Sequence, residues 1–214
     1  MDEGSSMSTN YPHDLTKGVI TISRQMGSRG LEVARALGGA LGYRVTSRDL
    51  INQAAMRSGN PEVALAVIDE LGLLGICPSP QACQAYRQAV KQVMEELLGE
   101  GRVIIVGRAG QVILSDRPQV LHVRIIAPQA ERTQRLAAEQ KISAESALAQ
   151  VQASDRHRRN YLKRHYQVKW DDPNLYDLTL NTANLSIPAA TAIIRQALIE
   201  KLKYAASPME EPLH

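Results

Sequence analysis

The chain has 214 residues, a formal net charge of +3 and 44% hydrophobic content, which fits one domain of ordinary size whose core needs no staples. So mild a charge excludes a general nucleic-acid coat and points to local anion sites; with no apolar run of membrane length and no signal-peptide pattern, a soluble cytoplasmic protein without membrane or nucleic-acid partners is expected. Cys77 and Cys83 fit neither a C-x-x-C redox pair nor a zinc half-site and are expected as reduced thiols, and the absence of phenylalanine leaves the core to Leu, Ile, Val and Ala.

Residues 1–16 are polar and read as a tail, 17–205 as the folded domain and 206–214 as a second tail. The β-branched run Val19–Ser23 reads as a strand buried on both faces. A glycine turn follows, and Leu31, Ala34, Leu37, Ala40 and Leu41 recur at helical spacing up to a C-cap at Gly42. Tyr43–Thr46 is a short strand, and a helix starts at about Ser47, whose hydroxyl suits a cap. Two more helices, Pro61–Gly72 and Pro80–Leu98, complete an all-helical insert over residues 46–101. Arg102–Val106, Val120–Ile126 and Asp177–Asn181 read as further strands, with helical sequence between them and an amphipathic helix from Ile187 to Tyr204 at the end. This alternation predicts an α/β fold: a five-stranded parallel sheet flanked by helices in three layers.

Val19–Ala34 carries the clearest chemical signal. A strand, a tight glycine turn and a helix in succession aim backbone N–H groups and the helix dipole at one point, which suits a phosphate. The amides of Ser28, Arg29 and Gly30 are the expected anion nest, preceded by Ser23 and by Gly27 at the turn. In a Walker A loop a lysine would occupy the position of Gly30. Arg24 and Arg29 flank the turn as alternative cations. A glycine turn of this kind also occurs purely as a packing device.

Arginine is the side chain best shaped to clamp phosphate oxygens, and it recurs after several strands: Arg48 with Asp49 at the start of the insert, Arg108 after Gly107, then Arg132 and Arg135. The densest cluster is Arg156, Arg158, Arg159, Lys163 and Arg164, on a helix read from Ser143 to His165 within a lid segment 143–173. On that helix Arg156, Arg159 and Lys163 share one face while Asp155 and Arg158 share another. Such a run is either an anion-gripping lid or a solvated helix face. Glu32 reads either as a ligand to the water shell of a metal ion or as a first-turn glutamate favoured by the helix dipole.

The segments Ser23-Arg24-x-x-Gly27-Ser28-x-Gly30-x-Glu32, Gly107-Arg108-Ala109-Gly110-Gln111, Asp155-x-x-Arg158-x-x-Tyr161 and Trp170-Asp-Asp-Pro173 with Tyr176-Asp177-Leu178 resemble, in order, the cytidylate kinase-like family, a branch of the P-loop nucleoside monophosphate kinases related to bacterial CMP kinase. The resemblance spans roughly residues 18–200. It implies a P-loop kinase fold with a helical acceptor-binding insert and a lid, and ATP and Mg²⁺ as cofactors. It also implies transfer of the γ-phosphoryl group to a CMP-like nucleoside monophosphate or related small phosphorylated acceptor. It gives Arg158 the transferring phosphate, with Asp155 on the same D-x-x-R pattern, Arg132 a place near the donor base and Arg108 the acceptor phosphate. From the placement of cations, Arg24, Arg29 and the lid residues Arg156 and Arg159 are expected to replace the lysine's charge at the transferring group, and Arg48, Asp49 and Asp155 are expected at the acceptor. Ala109 stands where the family has an aspartate that touches the acceptor nucleoside. Arg29 stands where the family tends to have glycine and Leu31 where it tends to have a basic residue, and the standard loop lysine, which the family's phosphate loop also lacks, is absent. The alternative is therefore a non-catalytic nucleotide-binding module with the kinase fold. A monomer or a homodimer is compatible with the sequence.

Overall fold

The structure is a computed structural model that describes residues 15–47 and 80–206. Arg48, Asp49 and the helices expected from about Ser47 and over 61–72 lie outside the described residues.

Five strands, β1 (Val19–Arg24), β2 (Arg44–Thr46), β3 (Val103–Val106), β4 (Val120–Ile126) and β5 (Leu178–Asn181), form one sheet in the order β2-β3-β1-β4-β5. Every pairing is parallel, with Ile22 opposite Val106 on one side and Val123 on the other. β1 is thus central, and its carboxyl end opens between the loops that follow β3 and β4. The helices are α1 (Gly30–Leu41), α2 (Pro80–Glu100), α3 (Gly110–Ile113), α4 (Gln129–Gln140), α5 (Ala144–Tyr166) and α6 (Ile187–Ala206).

Successive strand side chains point to opposite faces, and both faces of this sheet are covered. Ile20, Ile22, Ile104, Val106, Val123 and Ile125 pack on one side against Val33 and Leu37 of α1 and Ile194 and Leu198 of α6. Val19, Val103, Ile105 and Val120 pack on the other against Tyr86, Val90 and Met94 of α2. Each fully buried aliphatic side chain contributes about 1.5–3 kcal/mol relative to exposure, which explains why the central strands are nearly unbroken Val and Ile. Within this apolar layer Thr21 Oγ1 and His122 Nδ1 satisfy each other at 2.7 Å. Burial, ahead of a raising influence from Asp177, lowers the His122 pKa.

Local signals set the helix ends. Gly42 takes φ 67° after α1, as a left-handed cap requires. Ser143 Oγ accepts the Ser146 amide at 3.1 Å and starts α5. Lys141 at φ 55° ends α4, so α4 and α5 double back as a helical hairpin around Leu136, Ala147 and Val151. Met26 of the glycine turn packs into that cluster, which couples the hairpin to the carboxyl end of β1. Cys83 is buried and disulfide-bonded rather than a reduced thiol, which corrects the reading from spacing alone. No described helix is long and apolar enough to cross a membrane.

Candidate functional site

The β1–α1 turn is built by sterics. Gly27 has φ 74°, and a Cβ there would lie 2.6 Å from the Arg132 carbonyl oxygen, so a larger residue has neither the backbone conformation nor the room. The Ser28 amide donates to the Gln25 carbonyl oxygen at 3.3 Å, and its hydroxyl donates to the same oxygen at 2.8 Å. Ser28 therefore closes the turn and is fully buried, a different duty from the anion nest expected of its amide. The first helical bond of α1 runs from the Val33 amide to the Arg29 carbonyl. The amides of Gly30, Leu31 and Glu32 are consequently the ones without a partner along the helix, and they carry the positive end of the dipole.

Arg29 takes φ 59°, which accounts physically for the glycine expected at its position. Its Nε and Nη2 bond the Glu32 carboxylate at 3.1 and 2.9 Å on the exposed surface. The hydrogen bond to Glu32 raises the Arg29 pKa, burial opposing it. The two residues expected at the transferring phosphate and at a metal ion thus hold each other.

Arg24 behaves differently. A Cβ on Gly30 would meet Arg24 Cβ at 2.5 Å, and a Cβ on Gly107 would meet Arg24 Nη1 at 2.9 Å. The Arg24 side chain therefore runs through a slot that exists only because both positions are glycine. That slot joins the turn after β1 to the turn after β3. The position where a Walker loop would place lysine is filled from the side by the stem of an arginine.

Across the turn, Arg132 and Asp155 form a buried bidentate pair at 3.2 and 2.9 Å, with side chains 5% and 9% exposed. Arg132 also donates to the Ala127 carbonyl at 2.9 Å and the Met26 carbonyl at 3.3 Å. One guanidinium thereby joins the glycine turn, the end of β4 and α5. These were the residues expected at the donor base and the acceptor; the structure brings them together as a clamp. Beside them lies a polar cavity of about 260 Å³ whose walls include Gln25, Gln129, Gln152, Arg156 and Arg159. It is smaller than the ~300–1,000 Å³ of whole-ligand pockets and is lined by polar and charged side chains. Arg158 is not among its lining residues: it donates to Ser154 Oγ and lies over the Trp170 ring at 5.9 Å.

Trp170 pins the chain after α5 to the sheet. Its Nε1–H donates to Ser23 Oγ at 2.9 Å, and its carbonyl accepts from Arg124 Nη1 at 2.6 Å and the Tyr176 hydroxyl at 2.7 Å. Arg124 in turn faces the rings of Trp170 and Tyr176 at 5.0 and 5.3 Å. Ser23, expected to touch phosphate, is instead the buried anchor of this tryptophan.

After β3, Gly107, Arg108 and Ala109 take φ 89°, 55° and 55° in succession. Non-glycine residues in this region are uncommon and costly, and such strain concentrates at functional sites. The run turns Arg108 so that Nη1 donates to the Tyr86 hydroxyl at 3.1 Å and its guanidinium lies over Tyr161 at 5.4 Å. Ala109 is 4% exposed and packs with Leu162 and Trp170. The structure thus gathers Arg24, Gly30, Gly107 and Arg108 along one line, with Arg156 and Arg159 over the neighbouring cavity. Gln25, Gln129, Gln152, Tyr86 and Arg124 escaped the sequence reading, because uncharged or strand-embedded side chains carry no periodic signal.

A parallel sheet covered by helices on both faces, with a glycine turn after its central strand, defines a class, the three-layer α/β fold whose ligands bind at the carboxyl ends of the strands. Shikimate kinase from Bacteroides thetaiotaomicron shares this fold at a TM-score of 0.50 and 11% identity, over 85% of this chain and 98% of that one. An uncharacterized protein from Eubacterium ventriosum superposes at a TM-score of 0.69 and 21% identity, over 86% of this chain and 99% of its own. The family model "Cytidylate kinase-like family" matches residues 19–184, and the chain belongs to that family. A cytidylate kinase of Methanothrix thermoacetophila is 28% identical over 187 residues, covering 86% of this chain and 99% of that protein.

Proposed function

We propose that the protein transfers the γ-phosphoryl group of ATP to a CMP-like nucleoside monophosphate or a related small phosphorylated acceptor. The observation that carries this reading is the Arg24 slot, because it sets a cation between the glycine turn and Gly107 where the loop lysine is missing. Phosphoryl transfer needs alignment and charge neutralisation more than covalent chemistry from the protein. The amides of Gly30, Leu31 and Glu32 receive donor phosphates, Arg24 lies between donor and acceptor, and Arg156 and Arg159 cover the transferring group from α5. Residues 143–173 then act as the lid. Arg108 holds the acceptor phosphate, with Arg48 and Asp49, at the start of the insert, assigned to the acceptor as well.

An acceptor phosphate oxygen attacks the γ-phosphorus as the bond to the β–γ bridging oxygen breaks, and ADP leaves. No general base is required, since a monophosphate is already anionic at neutral pH. Among the described residues no three His, Cys, Asp or Glu side chains converge. A Mg²⁺ ion fits here only through donor phosphates and water, which is its common mode in kinases, and it would neutralise charge on those phosphates. The test is ADP release from ATP with a panel of monophosphates. Release that depends on one monophosphate is expected; no monophosphate-dependent release with any of them overturns the assignment in favour of a binding module.

A further inference from the structure

The C-terminal turn of α5 holds a group of polar atoms that the transfer chemistry does not use. The Tyr161 hydroxyl, the Tyr166 hydroxyl and His165 Nδ1 are each shielded from solvent and have no hydrogen-bond partner. Their rings form one cluster: Tyr161 to His165 at 4.7 Å, Tyr161 to Tyr166 at 6.0 Å and His165 to Tyr166 at 6.3 Å. Arg108 lies over the Tyr161 ring at 5.4 Å, so the cluster borders the cation assigned to the acceptor phosphate. Buried polar groups are nearly always satisfied, and an exception calls for a missing partner.

We infer that Tyr161, His165 and Tyr166 form an uncharged hydrogen-bonding subsite beside Arg108 that receives the hydroxyl-bearing, non-phosphate part of the acceptor. This deepens the function proposed above and rests on it for the role of Arg108. The chemistry matches hydroxyls: a phenol both donates and accepts, and a neutral imidazole offers one of each. His165 is held neutral, its pKa lowered to about 4 by burial first and then by Arg87, Arg164 and Arg108. Burial, and next Tyr161, raises the Tyr166 pKa well above the ordinary phenol range, so the phenol stays protonated. Among the described residues, positive charge beside the cluster comes from Arg87, Arg108 and Arg164. A ligand with one anionic end and a hydroxyl-rich body, such as a ribonucleoside monophosphate, satisfies both halves. The orphaned atoms are shielded from solvent and Tyr161 packs against the cluster that contains Tyr86 and Val90 of α2, so entry requires the C-terminal end of α5 to lift from α2.

The test measures binding of CMP, 2′,3′-dideoxy-CMP, inorganic phosphate and a non-hydrolysable ATP analogue to the full chain and to its Tyr161→Phe and Tyr166→Phe variants. The parent should prefer CMP over the dideoxy form by about tenfold or more, the size of one net hydrogen bond. Both variants should lose most of that preference while binding inorganic phosphate and the ATP analogue as before. Their melting temperatures should stay close to the parent's, since the Tyr161 and Tyr166 hydroxyls influence each other but make no well-formed hydrogen bond. Absence of the preference in the parent, its survival in both variants, or a marked fall in melting temperature overturns the subsite. If the ATP analogue binds but CMP does not, the subsite fails and the donor assignment stands. If the CMP preference holds but the analogue does not bind, the donor assignment fails and the subsite stands.

Discussion

The middle and the C-terminal end of α5 differ in how their polar groups are satisfied. At Asp155 the carboxylate takes two bonds from Arg132, which also bonds two backbone carbonyls. Two turns further on, Tyr161, His165 and Tyr166 keep polar atoms that bond nothing. A saturated buried network is a scaffold: it fixes where the glycine turn, β4 and α5 meet. An unsaturated one beside a cation is unfinished, and the missing piece is the ligand's. The contrast separates residues that hold the site's shape from residues that contact what enters it.

The sharpest way to break this contrast is to remove one partner of the buried pair. Asp155→Ala leaves an uncompensated buried guanidinium, a loss of about 3–5 kcal/mol. Thermal unfolding should shift down by roughly 10 °C for a protein of this size, and an unchanged midpoint would remove the scaffold role. Next in size is the cavity wall. Arg156→Ala with Arg159→Ala should lower kcat by at least about 100-fold, a conservative share of what arginine contacts supply in phosphoryl transfer. Arg158→Ala, whose guanidinium lies on Trp170, should lower it less than about tenfold. Steady-state kinetics of the three variants decide this, and the reverse ranking would return the central role to Arg158.

Smaller effects sharpen the same comparison. Ser23→Ala keeps the indole and removes the acceptor of its buried N–H, which should cost about 1–3 kcal/mol in denaturant unfolding; an unchanged unfolding free energy would mean that packing of the indole alone pins this segment. The unfinished end of α5 should also be acid-sensitive. The folded protein protonates His165 at about 4, whereas an unfolded histidine does so near 6.5. The unfolded state therefore binds more protons between those values, and the stability present above pH 6.5 is lost as pH falls toward 4. His165→Gln should flatten part of that slope in thermal melts recorded across the range, and an unchanged slope would contradict the burial of this ring.

Most of the fold was legible because apolar periodicity is a local signal. β4 was read at Val120–Ile126 and occupies those residues, and α5 begins one residue after the Ser143 cap that announced it. The strands of the parallel sheet read as unbroken β-branched runs because both their faces are buried. The site was legible in outline only. Sequence shows which arginines follow strands, but not which are already engaged: Arg29 by Glu32, Arg132 by Asp155 and Arg158 by Trp170. Those partners are set by side-chain direction and by contacts across as many as 23 residues for the buried pair. Arg24 could be read as a replacement cation, while the slot that directs it needed Gly30 and Gly107 in space. The Tyr161–His165–Tyr166 cluster was invisible because an unsatisfied atom is defined by what surrounds it.

The most direct test of the account is a crystal structure with a hydrolysis-resistant ATP analogue and CMP bound together. The γ-phosphate is expected between the N-terminus of α1 and the guanidinium groups of Arg156 and Arg159, with Arg24 reaching toward both ligands and the CMP phosphate on Arg108. Donor phosphates found away from the β1–α1 turn, or facing neither Arg156 nor Arg159, would contradict it.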